Sequence, residues 1–171
     1  MRASRPPVIR VFVRTGTVLG LLLAPLSGEG RAAEPRALPV LELTGLDGRS
    51  VSRATLATPG AWLLLYTEVQ SDASGAFLGR VAADPRLRSR GTIAVVVGGR
   101  PQQAAELAGR FRLLTGASWY ADPSRSLSRG LGLAGAPVAL GVRGEVVEWS
   151  LTGVLADVNQ LKSILATWTE R

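Results

Sequence analysis

Short apolar runs recur along the chain and predict β-strands. The runs Ala61–Tyr66 and Thr92–Val97 are almost wholly apolar, which is typical of strands buried on both faces. Leu38–Leu43 also predicts a short strand, ahead of a turn. Further short strands are predicted at Ser50–Val51, Ser118–Ala121, Val138–Val142 and Glu145–Ser150. The last two flank Arg143-Gly144 and therefore predict a β-hairpin.

Apolar residues at helical spacing predict helices between these strands. The predicted helices are Ser71–Ala83, a segment that starts at Pro101, a short one from Asp122 to Leu131, and Val154–Trp168. Asp122 followed by Pro123 is typical of an N-cap and a first helical position. Strands that alternate with helices predict an α/β fold. We expect a central mixed sheet with helices on both faces, completed by a C-terminal β-hairpin plus helix.

The first 32 residues have the layout of a secretory signal peptide. A basic stretch, Arg2–Arg14, precedes the uncharged and largely apolar stretch Thr15–Leu26. That stretch has about 12 residues, fewer than the roughly 20 that span a bilayer. Small residues favour cleavage after Ala32, with cleavage after Ala33 or an uncleaved anchor as alternatives. Residues 33–171 are therefore expected to be exported, with the periplasm as the expected location and no stable membrane span after cleavage.

The net charge of +7 is concentrated in that first segment. After residue 32 the chain has 15 basic and 12 acidic residues, which leaves only +3. The densest basic cluster, Arg86, Arg88 and Arg90, is short and has no aromatic residue beside it. A nucleic-acid site usually combines a basic stripe with exposed aromatic residues. We therefore expect a solvated loop there and no nucleic-acid partner.

The chain contains no cysteine and no histidine. Their absence excludes disulfides, thiol nucleophiles, Cys/His zinc sites and Ser-His-Asp triads formed by this chain. Ser71 has no histidine to act as its base, so we interpret it as a helix cap with Asp72 complementing the helix dipole. Glu145 and Glu148 are three positions apart on a strand and face opposite sides. We expect no catalytic residue, no metal site and no cofactor.

Several segments follow one another in an order that matches a known fold. They are Leu38–Leu43 with Asp47-Gly48, the central strand Ala61–Tyr66, Tyr120–Pro123, Gly135–Pro137, Arg143–Val146 and Gly153. In this order they resemble the thioredoxin-like superfamily, and most of all its redoxin group of exported thiol–disulfide oxidoreductases. The resemblance covers about Leu38 to Trp168. It implies a thioredoxin-like domain over residues 33–171.

The chain departs from that family at the active site. The resemblance implies a Cys-x-x-Cys motif where this chain has Ser71-Asp72-Ala73-Ser74, and a buried acid of thioredoxin where it has Leu65. In the family, a helix N-terminus lowers the pKa of the first thiol, and the thiolate attacks a disulfide. A serine hydroxyl cannot form a disulfide. Ser71 and Ser74 are therefore predicted to be degenerate active-site positions.

The resemblance also implies a cis peptide bond before Pro137, beside which family members pair with an extended peptide. That pairing needs no cysteine, because main-chain groups make it. A candidate peptide-binding groove is therefore formed by Ser71, Asp72, Ser74, Ala136 and Pro137. The first hypothesis is an exported domain without redox activity that binds an unidentified exported protein or assists its assembly. The alternatives are an oxidoreductase or peroxiredoxin relative that works by a non-cysteine route, and a structural relic.

Overall fold

The computed structural model describes residues 35–56, 60–88, 91–153 and 158–169. Within these ranges eight strands form one mixed sheet, in the order β1-β8-β7-β4-β5-β6-β2-β3. The strands are β1 (Arg36–Ala37), β2 (Leu43–Gly45), β3 (Ser50–Val51), β4 (Ala61–Glu68), β5 (Ile93–Gly98), β6 (Ala117–Ala121), β7 (Val138–Arg143) and β8 (Val146–Thr152). The predicted signal peptide lies outside the described residues.

The centre of the sheet is the strand β4. It pairs in parallel with β5, which pairs in parallel with β6, and it pairs antiparallel with β7. Every residue from Ala61 to Thr67 is buried. This burial explains why the sequence of β4 is a continuous apolar run, because both faces of the strand are covered by other elements.

Helices cover both faces of the sheet. They are α1 (Arg53–Leu56), α2 (Asp72–Ala82), α3 (Pro85–Arg88), α4 (Pro101–Arg110), α5 (Ser126–Leu131) and α6 (Val158–Thr169). One core cluster joins the sheet to α2, α3, α4 and α6, with Phe77 fully buried at its centre. A second cluster on the opposite face joins it to α1 and α5 through Leu56 and Leu127. The predicted α/β fold, with its C-terminal hairpin plus helix, is confirmed.

The predicted strand Leu38–Leu43 is wrong. β1 ends at Ala37 and β2 begins at Leu43. Pro39 between them has no amide hydrogen to donate to a neighbouring strand. The segment instead crosses the second core, where Leu38 and Leu41 are buried and Val40 is 84% exposed. Its apolar residues therefore reflect packing across the sheet and not membership of a strand.

Three predicted boundaries also change. α5 begins at Ser126 and not at Asp122. α4 ends at Arg110, although the apolar pattern of its sequence continues to Leu114. The first four residues of the predicted last helix, 154–157, lie outside the described residues.

The predicted loop of arginines is partly helical. Arg86 and Arg88 lie in α3, while Arg90 lies outside the described residues. The guanidinium of Arg86 pairs with the buried carboxylate of Asp84 at 2.9 Å. None of the helices in the described ranges is long and apolar enough to cross a membrane.

Candidate functional site

The N-terminus of α2 is built from the serine motif. Ser71 is the N-cap, with extended backbone angles, and its Oγ accepts a hydrogen bond from the Ser74 amide at 3.2 Å. Asp72 lies in the first turn, where a negative charge complements the helix dipole. The interpretation of Ser71 as a cap and of Asp72 as a dipole partner is therefore confirmed.

The hydroxyl of Ser74 is also used by the fold. Ser74 is completely buried, and its Oγ accepts a hydrogen bond from the Glu68 amide at 3.1 Å. This bond ties the start of α2 to the end of β4. Leu65, four residues before the turn that joins them, is completely buried in the first core cluster. The side chains that occupy the redox positions of the family thus serve packing and helix capping.

The loop before β7 contains a cis peptide bond between Ala136 and Pro137. The carbonyl oxygen of Pro137 accepts a hydrogen bond from the Gly153 amide at 2.8 Å, which fixes the loop against the end of β8. Ala136 is half-buried, and its main-chain N–H and C=O make no hydrogen bond with any described residue. This leaves a donor and an acceptor available beside the proline.

The sheet register places these two segments at one end of β4. Tyr66 of β4 lies opposite Val138 of β7, the residue that follows Pro137. The chain leaves β4 after Glu68 and enters α2 at Asp72. Ser71 and Ser74 on one side, and Ala136 and Pro137 on the other, therefore flank the same strand end.

A second polar group lies at this strand end, on the opposite face of the sheet, and sequence reasoning missed it. Its centre is the phenol of Tyr66, which is 1% exposed and whose oxygen has no hydrogen-bond partner among the described residues. Glu68 is two residues further along β4, so its side chain leaves the sheet on the same face. Glu68 pairs with Arg125 at 3.6 Å, and Arg125 has a left-handed backbone with φ of 54°.

Asp122 lies next to this second group and is bonded to the start of α5. It is completely buried, and its carboxylate accepts hydrogen bonds from the Ser126 amide at 2.7 Å, the Ser126 hydroxyl at 3.0 Å and the Leu127 amide at 3.0 Å. Asp122 therefore bonds the start of α5 from a distance, although it is not the N-cap and the helix starts four residues later. The turn between them holds Arg125 in its left-handed conformation.

The electrostatic surroundings keep the Tyr66 phenol protonated. Burial raises its pKa above the ordinary value of 10.0, and the nearby carboxylates of Asp122 and Glu68 act in the same direction. The Ser128 side chain and the Arg125 charge act in the opposite direction. The Ser128 side chain acts on the phenol as a hydrogen-bonding neighbour. No described residue, Ser128 included, bonds the phenolic oxygen at close distance and good angle.

One signal in the sequence could have found this group. Tyr66 is the only residue with a polar side chain in the run Ala61–Tyr66 apart from Trp62, and the Trp62 indole donates to the Gly144 carbonyl at 2.9 Å. A polar atom within a strand buried on both faces is expected to find a partner. Among the described residues, no group of three or more acidic side chains is placed to hold a metal ion.

This chain is similar to known proteins in structure and not in sequence. The sequence matches no protein-family model and no curated protein. Solved structures of thiol–disulfide proteins, however, superpose on almost their whole length. The chain has the thioredoxin-like fold.

Three of these structures illustrate the similarity. DsbF of Mycobacterium tuberculosis has a TM-score of 0.61 at 16% identity, over 78% of this chain and 98% of that one. A thiol:disulfide interchange protein from Bacteroides sp. has a TM-score of 0.62 at 10% identity, over 81% and 91%. A secreted disulfide oxidoreductase of M. tuberculosis, homologous to DsbE of E. coli, has a TM-score of 0.54 at 11% identity, over 72% and 92%. In this chain the same fold contains no cysteine.

Proposed function

We propose that this thioredoxin-like protein is exported and binds an extended segment of another exported protein, without thiol chemistry. The segment would pair with the main chain of Ala136, beside Pro137. The observation that carries the proposal is that the N–H and C=O of half-buried Ala136 make no hydrogen bond with any described residue. Buried or half-buried main-chain groups are nearly always paired, so an unpaired donor and acceptor side by side favour an incoming strand.

The surroundings of Ala136 support this role. The carbonyl of Pro137 is already held by Gly153, so the loop is pre-organised and a ligand need not order it. The residues from Gly130 to Ala136 carry no charged or polar side chain, and they include two half-buried leucines, Leu131 and Leu133. An extended apolar segment would therefore meet both main-chain partners and an apolar surface. Ser71 and Asp72 would border the groove on its other side, whereas Ser74, which the sequence also placed in the groove, is completely buried.

A peptide-binding experiment tests the proposal. The probe is a fluorescein-labelled nonapeptide of alternating threonine and valine, which is extended and has no thiol, and binding is followed by fluorescence anisotropy. Replacing Ala136 by Pro removes the N–H without breaking any hydrogen bond of the folded chain. We expect saturable binding by the wild-type protein and a loss of about fivefold in affinity for Ala136→Pro, the size of one main-chain hydrogen bond.

The matched control is Gly135→Ala. A side chain at Gly135 would meet no atom within 4 Å, and the variant keeps the amide of residue 136. It should therefore bind the peptide as the wild type does. The absence of saturable binding, or equal affinities for Ala136→Pro and the wild type, would overturn the proposal.

Export is a separate part of the proposal. It rests on the signal-like residues 1–32, with 33–171 as the mature domain, and it accords with a secreted protein among the similar structures. We predict that the protein recovered from the periplasmic fraction of an expressing bacterium has Ala33 as its first residue, as measured by intact mass. A mass equal to that of the whole chain, in the membrane fraction, would instead support an uncleaved anchor.

A further inference from the structure

The basic residues of the chain are concentrated in the segment that includes α2, α3 and α4. Residues 72–116 hold seven of the 15 basic residues that follow residue 32, but only three of the 12 acidic ones, which gives this segment a net charge of +4. The rest of the chain after residue 32 has eight basic and nine acidic residues and is nearly neutral. A charge distributed in this way favours an anionic partner on one side of the molecule.

The turn after α4 adds an exposed apolar side chain to this basic segment. Leu113 is 58% exposed, whereas the next residue, Leu114, is buried in the first core cluster. Arg110 and Arg112 precede Leu113 and are both exposed. An apolar side chain that projects between basic groups is the combination that binds at a membrane interface, where apolar burial and attraction to anionic lipids add.

Contacts with α2 and α3 hold this turn in place. The guanidinium of Arg110 lies 5.9 Å from the centre of the Phe111 ring. A Cβ atom at Gly79 of α2 would lie 3.9 Å from that ring, so the turn packs directly on α2. The Gly116 amide donates to the carbonyl of Arg88, the last residue of α3, at 3.0 Å. The turn and the end of α3 therefore belong to one continuous surface.

The positive charges of this surface are not neutralised within the described structure. Arg88, Arg110 and Arg112 make no ion pair with any described residue. The exposed carboxylates of the segment, Asp72 and Glu106, make none with them either. The three guanidinium groups are therefore available to external anions.

We infer that Arg88, Arg110, Arg112 and Leu113 form a surface that binds reversibly to an anionic phospholipid membrane. Lipid phosphates accept charge-assisted hydrogen bonds from guanidinium groups, and the leucine side chain enters the apolar layer beneath them. Single-stranded nucleic acid would need exposed aromatic side chains for stacking, whereas Phe111 in this turn is half-buried. An acidic protein would use the arginines but would give the leucine no role. The inference is independent of the peptide edge at Ala136.

Sedimentation with lipid vesicles tests the inference. The protein is mixed with vesicles of phosphatidylcholine, alone or with about 30% phosphatidylglycerol, in about 20 mM and about 0.5 M salt. We expect the wild type to bind the anionic vesicles at least about tenfold more tightly than the neutral ones at low salt. Every variant keeps residues 1–34, so a difference from the wild type reports the surface and not the N-terminal segment.

The arginines are tested by Arg110→Gln/Arg112→Gln. We expect its affinity for anionic vesicles at low salt to fall about 25-fold, fivefold for each arginine, and the loss to shrink in high salt. The matched control is Arg36→Gln/Arg129→Gln, which makes the same change of charge at exposed arginines of β1 and α5 that form no ion pair with the described residues. It should change the affinity by about twofold or less.

The leucine is tested by Leu113→Ser. We expect a loss of about fivefold in affinity, because the side chain no longer enters the apolar layer. Val40→Ser is the control, since Val40 is 84% exposed but lies with the segment that crosses the opposite core cluster. It should bind as the wild type does. Urea unfolding shows that all four variants are folded.

Other results would overturn the inference. Equal binding of the wild type to neutral and anionic vesicles would do so, as would equal losses in the two arginine variants. If polyglutamate or oligothymidylate binds as tightly as the vesicles and Leu113→Ser changes nothing, the partner is a soluble polyanion and the membrane assignment is wrong.

Discussion

Two sets of hydroxyl groups lie at the same end of β4, and they differ in how their hydrogen bonds are satisfied. On the α2 face, the hydroxyls of Ser71 and Ser74 each accept a bond from a main-chain amide. On the α5 face, the hydroxyl of Tyr66 lies beside the Ser128 side chain but makes no hydrogen bond of good geometry with any described residue. Ser71 and Ser74 occupy the positions that the resemblance assigns to the redox cysteines, whereas it assigned no role to Tyr66.

The difference teaches where to look for function in a thioredoxin-like chain without cysteine. At the start of α2, Ser71 caps the helix, Asp72 complements the helix dipole and the buried Ser74 hydroxyl is paired. Local interactions that all favour the same structure are typical of positions that serve the fold. The phenol of Tyr66 has no hydrogen-bond partner among the described residues, and the same holds for the hydroxyls of Thr67, Thr92 and Ser124. Buried polar atoms of this kind call for an explanation. The hydroxyls of Ser71 and Ser74 therefore serve the stability of the α2 start.

The largest effect is expected from restoring the cysteines. The Ser71 hydroxyl lies 3.2 Å from the Ser74 amide at the start of a helix of 11 residues, the setting in which thiols become reactive. We expect Ser71→Cys/Ser74→Cys to form an internal disulfide in oxidised glutathione. Thiol titration should then find no free thiol before reduction and both after it.

The control for this variant is Ser71→Cys/Ala76→Cys, because Ala76 is exposed on the same helix and lies five positions away. Its two thiols should remain free of an internal disulfide. Two free thiols in both variants would show that the start of α2 no longer has a dithiol geometry.

The second effect concerns the buried hydroxyl of Ser74. Ser74→Ala removes the acceptor of the Glu68 amide and leaves a part-buried donor unpaired. We expect the free energy of unfolding to fall by about 1–2 kcal/mol in urea titrations. Ala76→Ser, an exposed change of the same kind in reverse, should alter it by less than about 0.5 kcal/mol. Equal effects of the two changes would refute the structural role of Ser74.

A somewhat smaller loss is expected at the cap itself. Ser71→Ala removes the oxygen that accepts from the Ser74 amide, and loss of such a cap typically lowers the free energy of unfolding by about 1 kcal/mol. Ser71→Asp keeps an acceptor at the same place and should retain most of the wild-type stability. Urea unfolding of Ser71→Ala and Ser71→Asp tests this role. If the Ser71 hydroxyl served a purpose other than capping, Ser71→Asp would be as unstable as Ser71→Ala.

The sequence predicted the first region much better than the second. Capping at Ser71 depends on residues three positions apart, so a local pattern suffices to predict it. Asp122 was predicted as the N-cap with Pro123 as the first helical residue, and this is wrong: the N-cap is Arg125, in a left-handed conformation, and the helix starts at Ser126. The Asp122 carboxylate still accepts from the Ser126 and Leu127 amides. No sequence rule requires an arginine to adopt the left-handed conformation. The start of the helix therefore depends on contacts that only the folded chain provides.

The remaining errors have the same origin. Leu38–Leu43 has the composition of a strand, yet Pro39 packs against Gly130 and the segment crosses the sheet instead of joining it. The residues around the Tyr66 phenol come from β4, the turn after β6 and α5. Because these segments are far apart in the sequence, no local pattern predicts that they meet. Local signals thus predict elements and caps, whereas the places where elements meet depend on packing.

The smallest effect on stability is expected at Tyr66, and its sign distinguishes the two regions most directly. Tyr66→Phe removes a hydroxyl that makes no hydrogen bond of good geometry with the described residues and keeps the aromatic ring in the second core cluster. We expect the free energy of unfolding at pH 7 to stay within about 0.5 kcal/mol of the wild type or to rise, because the buried hydroxyl contributes only a desolvation penalty. Removal of the Ser74 hydroxyl should lower it instead. A loss above about 1 kcal/mol for Tyr66→Phe would show that the phenol already has a partner in the folded chain.

The same variant has a signature at high pH. Because the folded protein raises the pKa of Tyr66 above 10.0, the unfolded chain releases this proton first as the pH rises. The stability associated with the protonated phenol is complete below pH 10 and is lost as the pH rises towards the folded pKa. Wild-type protein should therefore lose stability more steeply than Tyr66→Phe above about pH 10 in urea titrations. Coinciding curves for Tyr66→Phe and the wild type would contradict the raised pKa of Tyr66 in the folded protein.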